Sequence, residues 1–234
     1  MSAEILIELS GVDVARAEAP DTVLVGGVQW RIAAGDFWAV SGDPESGRSS
    51  LLATAAGLQP PARGAVKIFG RELAEASEAE QIDWRKRIGF VYEHGGRLLS
   101  HLTVAENVAL PLQYHLDLGE AETEAQVQEW LTRAELQSCA DQKPSRLSPR
   151  LAQRGALLRA LAVPTQVLFL DDPLGGEGPS GQRWWLGFLR DICTQRAAGG
   201  DPLTVVATGD ELPPWRALAT QFAAIEKRQL CLGG

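Results

Sequence analysis

Along the chain, short apolar runs rich in β-branched residues alternate with longer stretches whose apolar positions recur at helical spacing. That alternation predicts an α/β domain with a largely parallel central sheet. The first 35 residues depart from it: 5–9, 23–28 and 29–32 read as antiparallel strands joined by the turn-prone Ala19-Pro20-Asp21, and Ala34-Gly35-Asp36 turns the chain onward. Residues 37–40 predict a buried strand, followed by a glycine-bearing loop and a helix over 48–56 that stops at Gly57. Pro60-Pro61-Ala62-Arg63-Gly64 is a turn before a strand at 65–69, residues 71–87 are charged and helical in pattern, and 88–92 is a core strand. From 103 to about 143 the pattern is helical, with Glu120, Glu122 and Glu124 on a solvated face, which reads as a helical sub-domain interrupting the sheet. A helix at 151–162, an apolar strand at 166–170, a Trp-rich helix at 180–195 and a core strand at 203–207 follow, with short strands near 222–225 and 229–232 at the end.

Composition narrows the class. A chain of 234 residues with 45% hydrophobic and 22% charged positions has the size of one large domain and excludes a disordered or fibrous protein. With 22 basic against 30 acidic residues, the net charge of -8 argues against binding nucleic acid or an anionic membrane through bulk charge, so any phosphate must be held locally. No run approaches a membrane span, and the first ten residues carry two glutamates and no basic residue, so the expectation is a cytosolic chain without a signal peptide. Cys139, Cys193 and Cys231 are odd in number and widely spaced, which predicts reduced, mostly buried thiols rather than a disulfide framework or zinc site. The Trp184-Trp185 pair reads as packing.

Two segments carry chemistry. Gly42-Asp43-Pro44-Glu45-Ser46-Gly47-Arg48-Ser49, with Ser50 next, lies between a strand and a helix, the context a phosphate-binding loop requires. Glycines let backbone N–H groups close around phosphate oxygens, the helix start adds a positive dipole end, and the Ser49 hydroxyl suits Mg2+. An ordinary turn before a helix remains the alternative. Asp171 and Asp172 close the apolar strand, where carboxylates at the C-terminal end of a parallel strand face the ligand crevice; one can hold Mg2+ and the next orient a water. The competing reading is that they cap the start of a loop at Pro173.

With these residues in place, the chain resembles the ATP-binding subunit of an ABC transporter from about residue 5 to 232. Leu147-Ser148-Pro149-Arg150-Leu151-Ala152-Gln153-Arg154 is similar to the family's LSGGQ segment, and Glu93 after Phe90-Val91-Tyr92 falls at its Q-loop glutamine. Leu102-Thr103-Val104-Ala105-Glu106-Asn107-Val108 matches the stretch after that loop, Asp172-Pro173-Leu174-Gly175-Gly176 lies at the D-loop, and Val205-Val206-Ala207-Thr208-Gly209-Asp210 at the switch strand. The resemblance implies one ABC-type P-loop NTPase domain over 1–234, an α/β fold whose mixed central sheet carries an antiparallel β subdomain and a helical subdomain at about 94–162. It implies Mg2+-dependent ATP hydrolysis, with ATP held by residues 42–50 together with Glu93 and Ser148, Mg2+ by Ser49 and Asp171, and catalysis by Asp172 and Arg48. The partners it implies are a second ABC ATPase subunit, as a homo- or heterodimer, and an integral membrane permease, with no nucleic acid; the place is the inner face of the cytoplasmic membrane. Ala55-Ala56-Gly57-Leu58, Gly95-Gly96-Arg97-Leu98-Leu99 and Val108-Ala109-Leu110-Pro111-Leu112 further resemble the lipid-transport branch that works with MCE-type lipid-binding proteins.

The departures from the family pattern are chemical. Arg48 replaces a lysine with a bulkier planar fork, and Glu45 puts an anion where a loop glycine is expected. Pro149, Arg150 and Leu151 replace the glycines and glutamine of the signature, Asp172 is one methylene shorter than glutamate, Gly209 stands at the switch histidine, and no aromatic occupies 14–16. These substitutions set an energising ATPase against a degenerate subunit with a structural or regulatory role. A soluble relative in DNA repair or translation fits less well, because the long insertions of those proteins are missing.

Overall fold

The structure, a computed structural model, describes residues 4–116 and 118–233. Strands β1 (Ile5–Arg16) and β2 (Ala19–Ala33) form one long antiparallel hairpin that turns at Ala17 and Glu18. The segments 23–28 and 29–32 are therefore a single strand, and Pro20 lies inside it. Gly26 and Gly27 sit in a β-bulge: Val12 pairs with Val28 and Val14 with Val25, so β2 advances one residue more than β1. The Asp13 carboxylate accepts a 2.8 Å hydrogen bond from the Gly27 N–H there.

Strand β3 (Phe37–Ser41) sends Phe37 and Ala39 to one side and Trp38 and Val40 to the other, and all four are buried. Burial on both faces is why its sequence is a continuous apolar run. Helix α1 (Arg48–Ala55) follows, then β4 (Arg63–Ile68) and β5 (Arg71–Glu72), which complete a four-stranded antiparallel sheet in the order β2-β1-β4-β5. The helical pattern read over 71–87 thus begins as a strand and a turn. Helix α2 (Glu78–Arg87) starts only where Ser77 and Glu80 form a reciprocal cap, the Ser77 Oγ accepting from the Glu80 N–H and the Glu80 carboxylate from the Ser77 N–H.

The second sheet is mixed. Strands β6 (Ile88–Val91), β7 (Val167–Leu170), β8 (Thr204–Gly209) and β9 (Gln221–Glu226) lie parallel with β3 in the order β9-β3-β8-β7-β6, and β10 (Gln229–Leu232) adds antiparallel to β9 at the edge. One face packs Trp38, Val40, Val167, Phe169 and Val206 against α1 and the antiparallel sheet. The other packs Ala39, Leu168, Leu170, Val205 and Ala207 against α3 (Val104–Leu116), α4 (Glu120–Arg133), α5 (Pro149–Leu161) and α6 (Pro179–Ala198). Trp185 is fully buried in that layer and Trp184 stacks on Phe188, as the packing reading requires. Cys139 is buried, whereas Cys231 on the edge strand is exposed, contrary to the expectation for that thiol.

One buried polar side chain fixes the loop that enters α3. Asn107 is inaccessible; its Oδ1 accepts from the Leu99 N–H at 2.8 Å and its Nδ2 donates to the carbonyls of Leu99 at 3.1 Å and Thr103 at 2.8 Å. Asn107→Ala would strand those backbone groups, and a loss of about 2–3 kcal/mol is expected in urea unfolding at unchanged slope.

Candidate nucleotide site

Because β3, β7 and β8 are parallel, their C-terminal ends deliver three loops to one edge of the sheet. The first is the segment 42–47. Gly47 caps α1 at φ 93°, and a Cβ there would come within 2.7 Å of the Leu24 Cβ, so this position accepts only glycine. The Ser46 N–H donates to the Asp43 carbonyl at 2.9 Å, and the Gly42 N–H to the Gly209 carbonyl at 3.3 Å, which ties the loop to the end of β8. Asp43, Pro44 and Glu45 are exposed at its outer turn. The N–H groups of the first turn of α1, on Arg48, Ser49 and Ser50, have no acceptor within the helix.

Asp171 and Asp172 lie just beyond β7 and are nearly inaccessible, at 4% and 6%. Asp171 Oδ1 accepts from the Ser49 hydroxyl at 2.9 Å and from the Thr208 hydroxyl at 3.1 Å. The same Thr208 oxygen accepts from the Asp172 N–H at 3.0 Å, so one hydroxyl on β8 orients both acids. Burial raises the Asp171 carboxyl above its ordinary value, against the bonds from Ser49 and Thr208 and the charge of Arg48. Asp172 is pushed up to about 6, mostly by burial; Arg48 pulls it back, and the neighbouring acids Asp210, Glu93 and Asp171 add to the rise.

Arg48 is 2% exposed and folds across the loop. Its Nη1 donates to the Gly42 carbonyl at 2.8 Å and to the Asp210 carboxylate, and its Nη2 to Asp172 Oδ2 at 2.9 Å. A cavity of about 550 Å³ opens in front of these groups, bordered by Arg48, Glu93, Ser148, Asp172 and Asp210. Glu93 is half-buried, with its carboxylate 3.2 Å from His94 Nδ1. Ser148 caps α5, its Oγ accepting from the Leu151 N–H at 3.3 Å, while Arg150 donates to the Gly176 carbonyl. A second cavity of about 500 Å³, on the other side of Ser49 and Asp171, takes in Ser50, Tyr92, Arg16 and Pro60. All the candidate residues of the sequence thus border one edge of the sheet. Thr208 and Asp210 are not among those candidates although they fall within the switch-strand segment 205–210; their place at the C-terminal end of the strand paired with β7 is the signal that marks them.

The donor set fits Mg2+ and phosphate. The Ser49 hydroxyl and Asp171 carboxylate are hard oxygen donors side by side, and the Ser46 Oγ is buried in the loop without a partner, where a phosphate oxygen would satisfy it.

The family pattern described as ABC transporter matches residues 25–175. The lipoprotein-releasing system ATP-binding protein LolD of Chromohalobacter salexigens is 35% identical over 176 residues, 74% of this chain and 73% of its own. The methionine import ATP-binding protein MetN 2 of Paraburkholderia xenovorans is 32% identical over 209 residues, 89% of this chain but 52% of its own, so the chain spans about half of that relative. Among solved structures, the dimeric post-hydrolysis state of the ATP-binding cassette MJ0796 bound to ADP and Pi superposes with a TM-score of 0.83 at 25% identity over 96% of both chains. The chain belongs to the ABC transporter family of ATP-binding cassettes, an ATPase family, and has that family's α/β fold. Among the described residues, no helix is long and apolar enough to cross a membrane.

Proposed function

We propose that the chain binds ATP with Mg2+ over residues 42–50 and hydrolyses it slowly, as the ATP-binding subunit of a transporter seated on a permease at the inner face of the cytoplasmic membrane. The observation that carries this reading is the hydroxyl and carboxylate chain Ser49–Asp171–Thr208 beside a phosphate-sized loop. In it, the N–H groups of 47–49 and the Ser46 hydroxyl hold phosphate oxygens, the Ser46 N–H being engaged with the Asp43 carbonyl, and Ser49 and Asp171 hold the metal. Bound there, Mg2+ would neutralise charge on the phosphates. Asp172, beside the larger cavity, orients a water and takes its proton. Glu93 and Ser148 border the same cavity, and a second cassette bringing its own copy of the Ser148 segment would close it. The Ala55-Ala56-Gly57-Leu58 phrase, by its resemblance to the lipid-transport branch, favours a lipid cargo and, with it, an MCE-type partner.

Equilibrium titration of the purified chain with ATP, with and without Mg2+, tests the reading: Mg2+ should tighten binding, and no binding in either condition would defeat it. Glu45 is an exposed anion at the loop, so Glu45→Gly should tighten ATP binding by about threefold or more. Unchanged or weaker binding would mean that the phosphates do not sit there. A degenerate subunit is the second reading, favoured by Gly209, which leaves no side chain opposite Asp172 Oδ1. Nucleotide binding without phosphate release would select it.

A further inference from the structure

Arg48 has three acceptors of its own, and they use the two ends of its guanidinium: Gly42 O and Asp210 on Nη1, Asp172 on Nη2. Asp172 is enclosed, with a side chain 7% exposed, whereas Asp210 reaches in from solvent with 63% of its side chain exposed. The two acids approach from different strands, at the ends of β7 and β8, so the guanidinium is clamped across the mouth of the loop. Glu93 borders the same cavity and Asp171 lies behind it. Arg48 therefore faces four carboxylates; Arg150, also on the cavity wall, donates to the Gly176 carbonyl and lies 3.5 Å from Glu177, so an arriving polyphosphate meets a field largely of its own sign unless Arg48 exchanges a carboxylate for a phosphate oxygen. A lysine ammonium, a compact point charge, could not span both acids and the Gly42 carbonyl as this planar fork does.

We propose that Asp210 is an internal competitor for the cation of the phosphate loop: its carboxylate holds Arg48, and a nucleotide polyphosphate binds by displacing it. This rests on the nucleotide reading given above and adds a latch to it. Asp210 is the releasable half, because water solvates its carboxylate when it lets go, whereas Asp172 has no such access. The latch sets nucleotide affinity without touching the metal pair Ser49 and Asp171.

The test compares the parent chain, Asp210→Asn, Asp210→Glu and Glu211→Gln by titration with a fluorescent ATP analogue in Mg2+. Glu211 is an exposed carboxylate one residue on that makes no ion pair with Arg48, so its variant controls for the loss of one charge. Asp210→Asn should bind about three- to tenfold more tightly than the parent, Asp210→Glu should keep the parent's affinity, and Glu211→Gln should stay within about twofold. Equal tightening by Glu211→Gln, or none by Asp210→Asn in a chain that binds, overturns the latch. A second readout needs no nucleotide: phenylglyoxal modification of Arg48, followed by mass spectrometry, should be slow in the parent and at least severalfold faster in Asp210→Asn. If neither chain binds the analogue, the nucleotide reading fails and the Arg48 rate alone decides the clamp, a faster rate in the variant supporting it and equal rates overturning it.

Discussion

Asp172→Asn is expected to lower ATP turnover by about a hundredfold or more, with nucleotide affinity kept or tightened. Asp172 borders the larger cavity at the edge of the phosphate loop in contact with Arg48 and, unlike Asp210, which shares both features, is enclosed, with a side chain 7% rather than 63% exposed. Its carboxyl, pushed up to about 6, sits close enough to neutrality to be ionised at pH 7 and still a competent proton acceptor. Gly209 contributes no side chain, and the Glu93 carboxylate is engaged with His94. The base must be deprotonated to work, so turnover of the parent should rise with pH through about 6 and level off above it. Any residual turnover of the variant should lack that limb. Phosphate release assayed across pH 5–8 checks both; full activity in the variant would transfer the role to another group. Affinity holds or improves because asparagine relieves Arg48 of one of its two anionic partners, leaving the guanidinium more available to phosphate.

The layered sheet was legible because strands buried on both faces have no choice of residue: Phe37 to Val40 and Val167 to Leu170 are apolar at every position, and no loop or amphipathic helix needs that. The phosphate loop and paired aspartates were legible for a related reason, since both follow such strands directly. The partners of Arg48 were not. Asp172 and Asp210 lie 124 and 162 residues away, and only the parallel register of β3, β7 and β8 brings them together. Nothing in the composition of the loop says whether its cation points toward solvent or back onto the protein. The break read between 28 and 29 does not exist: Ala19–Ala33 is one strand, and the bulge at Gly26-Gly27 is held by the Asp13 side chain within a continuous ladder. The helix read over 71–87 failed because charge pattern does not locate a helix start, which the cap at Ser77 does.

Asp171→Asn should erase the dependence of ATP binding on Mg2+, lowering the ratio of affinities with and without the metal by about a hundredfold, toward one. The substitution is conservative in everything but charge. Asparagine keeps a carbonyl oxygen that can accept from both the Ser49 and Thr208 hydroxyls, so the loop and β8 retain their tie to β7. What disappears is the anionic oxygen that a small, strongly hydrated dication requires. Stability separates this loss from misfolding. Burial raises the folded-state pKa of Asp171 above its value in the unfolded chain, so the protonated acid is favoured in the fold, and its contribution is lost as pH rises through the folded pKa. The melting temperature of Asp171→Asn, measured without nucleotide, should therefore match or exceed that of the parent at pH 7, with the gap narrowing as pH falls toward the ordinary carboxylate value. A variant that melts well below the parent at pH 7 would show that Asp171 is needed for the fold itself, and a variant that keeps full Mg2+ dependence would remove it from the metal site.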